Sequence, residues 1–362
     1  MIPRAGFEPA TLRYLCCLVG LFGSAKANRY SRKLYQAELP RVCINNKYSD
    51  KYLTGMDVSI GIPSYNEERS IANILKAIEI QVSKYGNRCN ISEVIISDDS
   101  TDSTVDIIKD YSSKSILNII LIHHDKRRGA ATAWNEILHK AKGDAIILYD
   151  ADIIPAPDTT KILADAISEG YSLCAAGIRP VRCTGIAGRA SMFTASWLRR
   201  MRLQGINQYT IMGRALALAG KVAKHVTIPT DTIAIDLYLQ CRVMEMGYRI
   251  EYRDDAIVYF KPVGSIKELV MQTSRALQGH RELAYYIDRL NLRASMSSML
   301  KALIQSSIEN PLGLASLIPV YMLYPFYSKS DSSRWRVAES SKGLSIDDVM
   351  IINGYEDKTR YH

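Results

Sequence analysis

The chain has 362 residues, 47% of them hydrophobic and 23% charged, a composition that fills the core of one large domain or two ordinary ones and excludes a disordered polymer. Lysine and arginine outnumber aspartate and glutamate, 46 against 37, for a net charge of +9; the partners to expect are anions, whether nucleic acid, phosphorylated metabolites or an anionic membrane surface. Cysteines at 16, 17, 43, 89, 174, 183 and 241 show neither C-x-x-C spacing nor the density of a disulfide framework, which points to reduced, buried thiols in a cytosolic environment.

Residues 1–55 fit the remainder poorly. "YLCCLVGLFGSAKA" behind Arg4 and Arg13 has the outline of a signal peptide, and the preferred reading is a mis-assigned extension with the true start at Met56. From Met56 the pattern is regular. "DVSIGIPSY" reads as a strand breaking at Pro63, and "EERSIANILKAIEIQVSKYG" as a helix with apolar positions at Ile71, Ile74, Leu75 and Ile78 that stops at Gly86. "SEVIISDDSTDST" gives a second strand and polar turn, "TVDIIKDYSS" a helix, and "LNIILIHH" a third strand. "GAATAWNEILHKAKG" follows as a helix, and "DAIILYDAD" as the fourth strand. Near-continuous aliphatic strands separated by helices predict a parallel sheet covered on both faces, a doubly wound α/β domain that binds ligands beyond the carboxyl ends of its strands.

The polar clusters "PSYNEE", "DDSTD", "HHDKRRG" and "DAD" each follow a strand, so all four should meet at one edge of the sheet. After Pro157 short elements alternate with glycine and are expected to complete the same domain with a mixed edge. "NPLGLASLIPVYMLYPFYS", residues 310–328, carries no charge and approaches the length of a bilayer span. Pro319 and Pro325 count against a straight spanning helix, and a core or membrane-surface element fits about as well. Lys329, Arg334 and Arg336 beyond it would suit anionic head groups. The expected division is an extension over 1–55, a domain over 56–285 and a helical tail over 286–362.

Asp150 and Asp152, two apart at a strand end, can ligate a hard divalent cation whose remaining positions come from diphosphate oxygens and water. D-x-D alone usually marks a solvated turn; three other polar strand ends upstream favour the metal. Without a cation the two carboxylates would repel, and at least one should have a raised pKa. "DDSTD", residues 98–102, offers acceptors for ribose hydroxyls or a base, and equally an Asx turn with a helix cap. Lys126–Gly129 sets cations before a helix N-terminus, which favours phosphate, or forms a basic surface loop.

"VSIGIPSYNEE", "EVIISDDSTDST", "RRGAATAWNEIL" and "AIILYDADIIP", in this order and spacing, resemble the family 2 glycosyltransferases of the GT-A, nucleotide-diphospho-sugar transferase fold. The resemblance continues through "GRALAL" and "AIDLYLQCRVMEMGYRIEYRDDAIVYFKP" and covers Val58 to about Arg281. It implies a Rossmann-like, mostly parallel sheet with helices on both faces. It also implies that Pro63, Tyr65, Asn66 and Glu67 hold the base and ribose of a nucleotide-diphosphate sugar, with Asp98 and Asp99 contacting the nucleoside. Arg128, Gly129 and Asn135 would lie near the diphosphate, and Asp150 and Asp152 would bind Mg²⁺ or Mn²⁺, Asp150 also serving the nucleotide. Asp236 matches the catalytic base. The family commonly has Glu-Asp there and this chain has Ile235-Asp236, so Asp231 stays open as an alternative, and either also fits a structural carboxylate.

The implied reaction is an in-line displacement at the anomeric carbon, inverting, with charge on the departing diphosphate stabilised by the cation and Arg128 and the acceptor proton taken by Asp236. Processive relatives carry Q-x-x-R-W; here Gln272 and Arg275 are followed by Ala276, which favours one sugar per acceptor. His280 could reach the metal or diphosphate, although a lone histidine is more often a surface or helix residue. The acceptor, a glycan or a lipid, is not legible. The apolar run favours a membrane-borne one at the cytosolic face. Two alternatives stand beside this reading. One is a membrane-associated nucleotide-sugar-binding module without turnover. The other is a sugar-phosphate nucleotidyltransferase, disfavoured because "PSYNEE" stands where a Gly-rich loop with lysine is needed. Nucleic-acid binding is disfavoured because the basic residues are dispersed and not interleaved with aromatics.

Overall fold

The computed structural model describes residues 55–85, 89–206, 213–292, 295–327 and 338–352. The leader-like stretch, the helix stop at Gly86 and the basic residues 329, 334 and 336 lie outside them.

The expected βαβ alternation is present. Strands β1 (Met56–Ser64), β2 (Cys89–Asp98), β3 (Ile119–His123) and β4 (Ala145–Tyr149) alternate with helices α1 (Ile71–Tyr85), α2 (Thr104–Lys114) and α3 (Ala130–Lys140). The chain continues through β5 (Ile153–Pro155), α4 (Thr159–Ser168), β6 (Leu173–Pro180), α5 (Ile186–Met201) and β7 (Ala215–Ala219). After the short α6 (Gly220–Ala223) come α7 (Ile235–Glu245), β8 (Ile250–Phe260) and α8 (Ile266–Glu282). The C-terminal elements are α9 (Ala284–Arg289), α10 (Met296–Glu309), α11 (Pro311–Tyr327) and α12 (Ile346–Ile352).

One eight-stranded sheet has the order β3-β2-β1-β4-β7-β6-β8-β5. β1 pairs in parallel with β2 and β4, and β2 with β3. The order turns back on itself at β1, between β2 and β4, which is where an open α/β sheet makes its ligand crevice. β7 runs antiparallel to β4, β6 is parallel to β8, and β5 closes the edge antiparallel to β8. The mixed edge expected after Pro157 is therefore this half of the sheet.

All five residues of β4 are buried, as a strand covered on both faces requires. Val58, Ile60 and Ile62 of β1 and Val94, Ile95 and Ile96 of β2 join β4 in the main core, with Ile74 and Leu75 of α1 and Ile137 of α3 packed on them. The α3 contact is close enough to constrain β1: a Cβ on Gly61 would meet Ile137 Cγ2 at 2.3 Å.

The tail expected from residue 286 onwards is packed into the domain. Met299 and Ala302 of α10 share a core with Trp197, Met201 and Leu237, and Leu317 and Val320 of α11 one with Phe193, Val263 and Val270. α11 continues through Pro319 and Pro325, so the prolines do not break it. Among the described residues no helix is long and apolar enough to cross a membrane; one face of the apolar run instead buries against α5 and α8. The other face leaves Leu312, Ile318 and Met322 exposed, and Ile304 and Ile308 of α10 are exposed as well.

Candidate functional site

The carboxyl ends of β1, β2 and β4 open into one cleft. Pro63, Ser64, Tyr65 and Glu67 line it from β1, Asp99 from β2, and Asp150, Ala151 and Asp152 from β4. Strand pairing explains the convergence: in a parallel sheet every strand ends at the same edge, so four sequence-distant loops become neighbours.

The charges of the cleft are arranged around Asp150 and Asp152. Burial, then the carboxylate of Asp152, pushes Asp150 up to about 7, against the pull of Arg214 and Arg275. Glu67 is raised to about 8 by burial and then by Asp152, with Lys342 opposing. Burial is the larger cause in both, and the repulsion expected of paired carboxylates adds to it and extends to a third. Glu67 Oε2 and Ser64 Oγ are buried and meet no partner among the described residues, a state that a ligand would relieve.

Cations face these acids. The antiparallel pairing of β7 with β4 brings Arg214 to Asp150, whose N–H donates to the Arg214 carbonyl at 3.0 Å. The Arg214 guanidinium stacks 4.3 Å from the Phe260 ring centre and lies 3.5 Å from Asp152 Oδ1. Arg127 lies over the Tyr65 ring at 4.1 Å, and Gln272 and Arg275 of α8 close the far side. Burial lowers the pKa of Arg275, opposed by Asp236 and Asp150.

Several expected residues have other partners. Asp98 is fully buried, accepts from Ser100 N at 2.9 Å and Ser100 Oγ at 2.6 Å, and lies 3.0 Å from His123 Nδ1. Asp99 borders the cleft and accepts from the backbone N–H groups of Arg128 at 2.6 Å and Gly129 at 3.0 Å. Arg128 turns its side chain to Glu136 at 2.6 Å and His124 at 2.8 Å, so Arg127 lines the cleft in its place. The Asn135 amide clamps the backbone of Ile228, giving to its carbonyl at 2.7 Å and taking its N–H at 2.9 Å. Asn66 adopts a left-handed φ of 54° and receives the N–H of Thr101 at 2.8 Å through its side chain.

Asp236 and Asp231 separate clearly. Asp236 opens α7, accepts from Gly213 N at 2.9 Å and is raised by burial, with the N–H groups of Leu237 and Gly213, His280 and Arg275 pulling the other way. Asp231 is exposed and is felt by Glu282. His280 bonds the Ala276 carbonyl at 2.8 Å through Nδ1 and stands in the surroundings of Asp236.

No group of three or more His, Cys, Asp or Glu side chains among the described residues could hold a metal ion. Asp150 and Asp152 supply two hard oxygen donors, a set that fits Mg²⁺ or Mn²⁺ when phosphate oxygens and water complete the shell. The residues present thus suit a cation that arrives with a diphosphate.

Arg214, Gln272 and Arg275 carried a weak signal in "GRALAL" and "QTSRALQGH". Ser341, 189 positions from Asp152 and yet 3.4 Å from its Oδ2, carried none.

Residues 59–219 match the family model described as Glycosyl transferase family 2. The probable glycosyltransferase YdaM of Bacillus subtilis is 26% identical over 246 residues, 62% of this chain and 55% of that protein. A dolichol-phosphate mannosyltransferase of Pyrococcus furiosus is 30% identical over 127 residues, 35% of this chain and 34% of that protein. The chain thus spans about half or less of the length of these two relatives. Among solved structures, a mannosyltransferase from Pyrobaculum calidifontis in complex with GDP-Man and Mn²⁺ aligns at 17% identity and a TM-score of 0.49, covering 83% of this chain and 94% of that one. Over residues 59–219, less than half of its length, the chain is similar to glycosyl transferase family 2.

Proposed function

We propose that the protein transfers a single sugar from a nucleotide-diphosphate sugar to an acceptor hydroxyl or lipid phosphate, with a divalent cation and with inversion at the anomeric carbon. The observation that carries this reading is the arrangement of Asp150, Asp152 and Glu67 opposite Arg127, Arg214 and Arg275 in one cleft at the crevice of the sheet. Acids alone would repel a diphosphate and bases alone would need no cation; the two sets together suit a metal-neutralised one.

Each residue has a task in this reading. Tyr65, backed by Arg127, offers a ring face to the base, and Asp99 fixes the 127–129 loop beside it. Asp150 and Asp152 would hold Mg²⁺ or Mn²⁺, which when bound supplies Lewis-acid stabilisation of the departing diphosphate. Arg214 and Arg275 add fixed positive charge on the same side. Asp236, held by Gly213 N and raised by burial, would take the acceptor proton at a carboxylate oxygen. Its raised pKa makes it a stronger base once ionised.

The acceptor in the name of the Pyrococcus furiosus relative is a lipid phosphate, and a lipid acceptor gives the exposed Ile304, Ile308, Leu312 and Met322 a use: lying against the cytosolic face of a membrane without crossing it. The test is a screen of nucleotide sugars for Mn²⁺-dependent transfer to polyprenyl phosphate, with Asp152→Ala and Asp236→Asn alongside. Loss of about 100-fold or more in each variant is expected; undiminished turnover of Asp152→Ala overturns the metal role.

A further inference from the structure

Beyond the strand ends and α8, the cleft has a further wall. Residues 338–343 cross its mouth, Ala338 and Ser341 lining it, and the chain beyond them is anchored by Leu344, Ile346 and Val349, buried against Ala77, Ile154 and Tyr259. The next residue along this strap, Lys342, is 2% exposed. Its ammonium donates to the carbonyl of Asn66 and lies 3.8 Å from Glu67 Oε1 and 3.2 Å from Glu339 Oε1.

A buried ammonium is costly unless it meets acceptors, and the anchor itself is supplied by the three apolar residues that follow. Besides Glu339 of the strap itself, the acceptors Lys342 meets are the two residues of the β1 turn, Asn66 with its left-handed backbone and Glu67. Gly343 N adds a bond to Ser70 Oγ at 3.1 Å just downstream of that turn. On the other side Ser341 Oγ, whose shorter bond is to the Ala338 carbonyl at 2.9 Å, lies 3.4 Å from Asp152 Oδ2. Ser340 bonds Glu268 in the first turn of α8, the helix that carries Gln272 and Arg275. Within six consecutive residues the strap therefore touches three walls of one cleft.

We propose that Lys342 is a positioning residue of the donor site: it holds the Asn66–Glu67 turn in the conformation that receives a nucleoside diphosphate, and Ser341 does the same for Asp152. The inference rests on the donor-site reading above. Lys342 acts through the turn and not by touching the reacting atoms.

The test compares Lys342→Met, Lys342→Arg and Ser341→Ala with the unaltered full chain. The first readout needs no ligand: hydrogen exchange at the amides of Asn66, Glu67 and Glu68. Lys342→Met should speed it about tenfold, Lys342→Arg much less. The second is calorimetric binding of UDP and GDP with Mn²⁺. The tighter of the two should weaken about tenfold in Lys342→Met and about threefold in Ser341→Ala, and donor KM should rise while kcat stays within about threefold.

Unchanged exchange and affinity in Lys342→Met overturn the proposal, and so does tighter binding, which would make the strap a plug. If Lys342→Met does not fold, Lys342→Arg and Ser341→Ala decide: affinities equal to the unaltered chain in both refute it. If neither nucleotide binds the unaltered chain the donor-site reading fails, and exchange at 66–68 still decides whether Lys342 holds the turn.

Discussion

Asp99 Oδ2 accepts the backbone N–H of Arg128 at 2.6 Å and that of Gly129 at 3.0 Å. A protein carboxylate therefore occupies the N-terminus of α3, where the charge pattern of "KRRG" fits either a phosphate or a basic surface loop. Negative charge is favoured there in either case, and here it ties the end of β2 to the loop that presents Arg127.

Asp99→Ala is accordingly expected to do two things. It strips two buried-edge N–H groups of a charged acceptor, a loss of about 1.5–3 kcal/mol, visible as a lower midpoint in urea denaturation. It also frees the loop beneath Tyr65 and Arg127, so nucleotide affinity measured by calorimetry should fall. Retained stability and affinity together would show the contact to be idle.

The raised acids predict a pH dependence with a definite sign. Asp150 moves from 3.8 to about 7 and Glu67 from 4.5 to about 8, so between pH 4 and these values the folded chain holds protons that the unfolded chain has released. Stability of the metal-free protein from these groups is full below about pH 4 and is lost progressively as pH rises from there through 7 and 8. A cation needs Asp150 ionised, so the thermal shift produced by Mn²⁺ with a nucleoside diphosphate should grow over the same interval, with proton release. Melting curves from pH 5 to 9 check both. Asp150→Asn should flatten the metal-free slope and abolish the Mn²⁺ shift.

Asp254 behaves in the opposite way. Burial alone would raise it, but Arg199 at 2.7 Å, Tyr252 at 2.8 Å and Arg179 at 2.8 Å hold it well below the ordinary 3.8. Its contribution is present above the unfolded value and is lost as pH falls through the folded one. Asp254→Asn leaves the two arginines without their shared anion at the irregularity between β6 and β8. A loss of about 1–3 kcal/mol at neutral pH is expected, small for an ion-pair cluster because its members are partly exposed. Thermal denaturation at pH 7 and pH 3 should show the gap between variant and parent narrowing in acid.

How much of this was legible in the sequence follows from which interactions are local. Aliphatic runs of five or more, helical spacing between them and a polar cluster after each run depend on residues a few positions apart, so the parallel half of the sheet and the edge at which the motifs meet could be read directly. Asp150 and Asp152 could be placed for the same reason, since residues two apart at a strand end share a face. What needed the tertiary structure was the choice between adjacent residues. Asp98 and Asp99 differ by one position, hence by face; one turns inward to Ser100 and His123 and the other out to the cleft. Arg127 and Arg128 divide likewise, the latter drawn away by Glu136 of α3. Asn135, matched to the donor segment, is taken by the backbone of Ile228, 93 positions along the chain.

The apolar run at 310–328 and the strap at 338–343 show the same limit from the other end. Composition made residues 310–328 apolar, but only the presence of Phe193, Val263 and Val270 opposite Leu317 and Val320 decided that one face would be packed against protein. Nothing within a few residues of Lys342 indicates that it meets Asn66, 276 positions earlier. Sequence by itself determined the parallel half of the sheet, the edge at which the motifs meet and the paired carboxylates, because those are set by local periodicity. Tertiary structure decided which side chains line the cleft and what closes it, because a side chain's partner is set by contacts that chain order does not contain.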